Sequence, residues 1–226
     1  MTATPLLEAI EVETGAQPAS SVIWLHGLGA DGHDFEGIVP DIDLPDGVAI
    51  RFVFPHAPTR PVTINNGDVM RAWYDVFNDS GVRREDEAGV RASQAMIEAL
   101  IAREKTRGVP AKRIVLAGFS QGGAMALQTG LRYQERLAGI MALSCFLPLA
   151  HTLAGDASAA NRDVPIFMTH GTHDPVIPIA RAQQGRDALL GLGYQVDWRE
   201  YPMPHAVCGE EIADIGEWLG RILPRV

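Results

Sequence analysis

Apolar residues along the chain fall into two patterns. Short continuous runs such as Ile114-Val115-Leu116-Ala117 suit strands covered on both faces, and stretches with apolar positions three and four apart suit helices with one buried stripe. The first pattern predicts strands over residues 6–12, 21–26, 48–54, 113–118, 138–144, 164–169 and 195–200. The second predicts helices over 86–106, 178–192 and 209–223, with a further one directly after the strand at 113–118. In 86–106, Val90, Met96, Ile97, Leu100 and Ile101 share a stripe while Glu87, Arg91, Glu98 and Lys105 lie elsewhere. Gly191 and Gly193 stop the second helix and Pro224 the third. Strands alternating with helices predict an α/β fold, a mostly parallel central sheet flanked by helices, in a single domain over 1–226. One stretch fits neither pattern. Residues 55–82, rich in Pro, Asn, Gly and aromatics, read as a long irregular piece over the sheet's active edge, with room for one strand or helix.

Composition changes this picture little. A chain of 226 residues and 24.4 kDa suits one well-filled core. A formal net charge of -9, with no Lys/Arg cluster, argues against a nucleic-acid surface. No window approaches ~18 consecutive apolar residues and the N-terminus lacks a basic region before an apolar core, so no membrane insertion and a cytoplasmic location are expected. Cys145 and Cys208 have no metal or redox spacing, which predicts free thiols in a reducing compartment.

The chemistry concentrates in residues 113–130. A buried strand, the turn Gly118-Phe119-Ser120-Gln121-Gly122 and a Gly/Ala-rich helix put a serine at the tip of a tight bend. The competing reading is an ordinary turn serine. A hydroxyl needs a base, a group that orients the base, and donors for the oxyanion. In the α/β-hydrolase arrangement these partners follow in the order Ser, Asp or Glu, His. Of seven histidines, His26, His33 and His56 precede Ser120. His151 has only Glu135 in the required interval, far from a strand end. His170, His173 and Asp174 share the loop after the strand ending at Thr169, and His205 follows the last strand. Order and strand-end placement select Ser120, Asp174 and His205. Reading His170, His173 and Asp174 as metal ligands leaves them without a fourth group at a familiar spacing, so neither metal nor cofactor is expected. The oxyanion donors should be the backbone N–H of Gln121 and one from His26-Gly27-Leu28-Gly29-Ala30-Asp31-Gly32, with Leu28 chosen. A phosphate loop is disfavoured there, because no Lys-Ser/Thr follows and no G-x-G-x-x-G appears.

These residues resemble the carboxylesterase and acyl-protein thioesterase branch of the α/β-hydrolases. The likeness is carried by Leu25 through Gly32, Arg71-Ala72-Trp73-Tyr74-Asp75, Gly118 through Ala124, Leu143-Ser144-Cys145-Phe146-Leu147-Pro148, His170 through Pro178, and Tyr201-Pro202-Met203-Pro204-His205. Pro204 departs from it, where a glycine or other small residue is expected. The resemblance implies the same triad and oxyanion donors, and it implies that the Arg71 to Tyr74 region helps wall the acyl pocket, with Arg71 and Trp73 as contributors. The expected activity is hydrolysis of short- to medium-chain carboxylic esters. Alternatives are a thioesterase or lysophospholipase-like enzyme on longer acyl chains, and a non-catalytic ligand-binding hydrolase fold. Trp73, Tyr74 and Phe77 would equally suit a homodimer interface.

Overall fold

In the computed structural model, which describes residues 6–79 and 82–225, the buried runs pair into one seven-stranded sheet. Chain order gives β1 (Ala9–Glu13), β2 (Ser20–Leu25), β3 (Ile50–Pro55), β4 (Thr59–Val62), β5 (Asp68–Arg71), β6 (Val76–Asp79) and β7 (Val82–Glu85). It continues with α1 (Glu87–Thr106), β8 (Ile114–Phe119), α2 (Gln121–Arg132), β9 (Gly139–Leu143), α3 (Ala150–Asp156), β10 (Ile166–Gly171), α4 (Ile179–Gly191), β11 (Val196–Tyr201) and α5 (Gly209–Ile222). The sheet runs β1-β3-β2-β8-β9-β10-β11. Every neighbouring pair in it is parallel except β1 with β3.

The continuous apolar runs are explained by two buried faces. Ile23 and Leu25 of β2, Ile114 and Leu116 of β8, and Ile140 and Ala142 of β9 point into one layer with Ile97, Leu100, Met125 and Leu127 of α1 and α2. Their neighbours Val22, Trp24, Val115, Ala117, Met141 and Leu143 point the other way, against Ile215, Trp218 and Leu219 of α5. Strand side chains alternate between faces, so both parities must be apolar. Among the described residues no helix is long and apolar enough to cross a membrane.

The stretch expected to be irregular, 55–82, carries more structure than foreseen. β4 pairs antiparallel with β5 and β6 with β7, giving two small hairpins outside the main sheet. Ser80 and Gly81 of that stretch lie outside the described residues. β4 and β5 are mostly exposed or half-buried, so no apolar run announced them. Helix α3 was also unforeseen, and of its residues only Leu153 is buried.

Two buried carboxylates brace the sheet from opposite faces, with opposite electrostatics. Glu104 accepts from the Ser21 hydroxyl at 2.7 Å and faces Arg51, Arg103 and Arg107 at 3.0–3.1 Å. Burial works against its charge, but the hydroxyl and the guanidiniums outweigh it and hold its pKa below the usual value. Glu211, at the start of α5, accepts from the Thr169 hydroxyl and has no cation beside it among the described residues, and burial pushes its pKa up to about 7 from 4.5.

Between those two values the native state holds a proton on Glu211 that the unfolded chain releases, so this residue's contribution falls as pH rises through 7. Glu211→Gln copies the neutral form and should outlast the wild type in urea at pH 8 by on the order of 1–3 kcal/mol. The difference should shrink as pH is lowered toward 4.5. A difference that does not change with pH would contradict this assignment.

Candidate active site

Ser120 stands where β8 turns into α2, with φ 55° and ψ -119°, a half of conformational space that side chains other than glycine seldom enter. The bend closes because its flanks have no side chains. A Cβ on Gly118 would strike the backbone of Gly122, and one on Gly122 would strike the Leu25 carbonyl of the adjacent β2. The Ser120 N–H donates to the Leu143 carbonyl at 2.9 Å, and its own carbonyl accepts from the Ala124 N–H at 3.0 Å. The hydroxyl is thereby presented above the carboxyl ends of the parallel strands.

His205 reaches it from the loop after β11. Its Nε2 lies 2.9 Å from Ser120 Oγ, and its Nδ1 lies 2.6 Å from Asp174 Oδ2. The Phe119 ring packs on the imidazole with centroids 4.7 Å apart. Asp174, in the loop between β10 and α4, is fixed through its other oxygen, which accepts the N–H groups of Val176 at 2.8 Å and Ile177 at 2.9 Å. Pro204 is accommodated: the Met203 carbonyl beside it accepts the His173 N–H at 3.1 Å, and its own carbonyl accepts that of Ala206 at 2.9 Å. An imidazole in this position can take a proton from the hydroxyl while the carboxylate stabilises the resulting cation.

The other histidines of this end separate clearly. His173 is exposed, and so is His151 on α3. His170 is fully buried behind Asp174, its Nε2 2.8 Å from the Ile177 carbonyl and 3.4 Å from Asp174 Oδ2. Donation to that carbonyl places its proton on Nε2, and burial lowers its pKa, so it stands neutral beside the carboxylate. Among the described residues no group of three or more His, Cys, Asp or Glu could hold a metal ion. Both cysteines are free thiols.

Beside Ser120 opens a cavity of about 390 Å³. Leu28 and Gln121 line it together with Ser120 and His205, and Phe119, Tyr74, Val76, Phe146, Val176 and Ile177 make much of the remainder apolar. The backbone N–H of Gln121 has no partner within its helix, because it belongs to the first turn of α2.

Arg71 and Trp73, expected in the pocket wall, line no part of this cavity. They stand behind the loop that carries Leu28. The Trp73 indole N–H donates to the His26 carbonyl at 2.9 Å and the Arg71 carbonyl accepts the Gly29 N–H at 2.9 Å, while the Arg71 guanidinium donates to the Ala57 carbonyl at 2.8 Å. Two further side chains in this brace were not anticipated. The Gln121 amide accepts the Trp73 N–H at 2.7 Å and donates to the Tyr74 carbonyl at 2.9 Å. His26 accepts the Ala57 N–H on Nε2 at 3.0 Å, leaving Nδ1–H to donate to the Gly27 carbonyl at 2.7 Å, and burial lowers its pKa. Trp73 and Tyr74 are fully buried, so neither offers a face to a second copy of the chain. The sequence hint to this brace was a histidine closing a buried strand, where a polar side chain must find partners.

Residues 7–223 match the family described as Phospholipase/Carboxylesterase. Acyl-protein thioesterase 1 of Neurospora crassa is 42% identical over 220 residues, covering 93% of this chain and 90% of that protein. Acyl-protein thioesterase 1 of Gibberella zeae is 38% identical, covering 92% and 93%. Among solved structures, Zea mays acyl-protein thioesterase 2 superposes with a TM-score of 0.85 at 29% identity, covering 96% of this chain and 99% of that one. Arabidopsis thaliana SOBER1 gives 0.84 at 30%, covering 91% and 99%.

Trp73→Phe removes the indole donor and leaves the His26 carbonyl buried without it. This should cost roughly 1–3 kcal/mol in urea unfolding. Unchanged stability would contradict a bracing role for Trp73.

Proposed function

The chain belongs to the phospholipase/carboxylesterase family of α/β-hydrolases, and from that membership we propose that it is a serine carboxylesterase cleaving short- to medium-chain esters through an acyl-serine intermediate. The observation that carries the reading is the His205 ring lying between Ser120 Oγ at 2.9 Å and Asp174 Oδ2 at 2.6 Å, at the mouth of an apolar cavity.

In this mechanism Ser120 attacks the ester carbonyl as His205 Nε2 takes its proton. The tetrahedral oxyanion is held by the backbone N–H groups of Leu28 and Gln121, each contributing about 3 kcal/mol to the transition state. The imidazolium then protonates the departing alcohol, and water, activated by the same imidazole, releases the acid. Asp174 keeps the imidazole proton on Nδ1 and stabilises the cation, and the neutral His170 adds no competing positive charge. The brace from Trp73, Arg71 and the Gln121 side chain holds the loop of one oxyanion donor to the helix of the other, so that both amides are in place before substrate arrives.

A second reading, a thioesterase on longer acyl chains, draws support from relatives named acyl-protein thioesterase 1 at 42% and 38% identity. The same groups would serve it, with a thiol leaving in place of an alcohol. We place the work of the enzyme in the cytoplasm, in keeping with the free thiols of Cys145 and Cys208.

Ser120→Ala and His205→Ala should each lower kcat for p-nitrophenyl butyrate by roughly 10³-fold or more, with circular dichroism unchanged. Folded variants that keep wild-type rates would remove these roles. Initial rates on matched butyrate and palmitate esters and thioesters separate the two readings, the first predicting faster turnover of the butyrate ester.

A further inference from the structure

The cavity beside Ser120 is apolar along much of its wall, and Asp34, Asn65 and one oppositely charged pair interrupt it. Arg181, in the first turn of α4, and Glu85, the last residue of β7, both line it. Arg181 Nη2 lies 2.5 Å from Glu85 Oε1, tying the β6–β7 hairpin to α4 between residues 96 positions apart in sequence. The guanidinium also rests on the Phe146 ring, with Cζ 3.6 Å from its centroid. Held by a carboxylate on one side and an aromatic face on the other, this cation has little freedom to swing aside.

An acyl chain laid from Ser120 along Phe119, Tyr74, Val76 and Ile177 is favoured by their hydrocarbon. Where the chain reaches Arg181 it would strip water from an ion pair and offer no hydrogen bond in return, so further methylenes stop contributing. The cavity volume, about 390 Å³, lies near the lower end of the range of roughly 300–1,000 Å³ usual for ligand pockets.

We propose that Arg181, held in place by Glu85 and Phe146, is the specificity-determining residue that limits this cavity to short and medium acyl groups. The inference rests on the esterase reading and narrows its substrate class. Glu85 acts as a positioning residue, since it fixes the guanidinium, and Arg181 stands in the cavity wall.

The test is kcat/KM for p-nitrophenyl butyrate and decanoate, measured on the wild type and on R181A, or on R181Q should the alanine variant fail to fold. The wild type should favour butyrate. In the variant the decanoate-to-butyrate ratio should rise more than fivefold, chiefly through a lower KM for decanoate. A rise of fivefold or less in a folded variant overturns the proposal, and so does a wild type that favours decanoate. Wild-type protein that turns over neither ester would instead overturn the esterase reading, and this inference with it.

Discussion

The arrangement depends on a backbone constraint at one residue. Ser120 holds a positive φ that costs on the order of 1–3 kcal/mol for a side chain other than glycine, and it persists because the surroundings leave no alternative. Its N–H is tied to the end of β9, its carbonyl starts α2, and Gly118 and Gly122 let that helix press against β8 and β2. Once the serine is fixed above the strand ends, its partners need only reach the same rim. Parallel strands bring them there, since β8, β10 and β11 all end at that edge.

Two layers of support stand behind the reacting groups. On the base side, Asp174 is set by the N–H groups of Val176 and Ile177, and His170 packs behind it. On the other side, Trp73, Arg71, His26 and the Gln121 amide hold the Leu28 loop against the start of α2. Both layers are built from buried polar groups whose partners are mainly backbone atoms. Such groups enforce one geometry because any other would leave a donor or acceptor unmet.

Much of this was legible in the sequence, and what was not has a physical reason. The inner strands of the main sheet announced themselves because two buried faces call for continuous apolar runs, as in Ile114 to Ala117, while the half-buried edge strands β1 and β11 mix apolar with charged residues. The order Ser120, Asp174, His205 followed from placing each at a strand end. The two hairpins formed by β4 with β5 and β6 with β7 left no comparable trace, since short strands pairing with each other outside the main sheet need no apolar run. The resemblance put the Arg71 to Tyr74 region in the pocket wall, but motif proximity does not say which way each side chain faces, and of Arg71, Trp73 and Tyr74 the cavity takes Tyr74. The bond from the indole N–H to the His26 carbonyl turns Trp73 into the scaffold, and Tyr74 faces the cavity in its place. The Gln121 side chain was unreadable because its partners are backbone atoms of residues 73 and 74, whose sequence identity is irrelevant to the contact.

The central claim is that one hydroxyl has been made nucleophilic by its neighbours while other serines have not. Reaction with a fluorophosphonate, followed by peptide mapping, measures this without regard to the natural substrate. The account predicts one phosphonyl group per chain, attached to Ser120 and slowed strongly when His205 is replaced by alanine. Labelling of a different residue, or a folded chain whose Ser120 reacts no slower without His205 than with it, would contradict it.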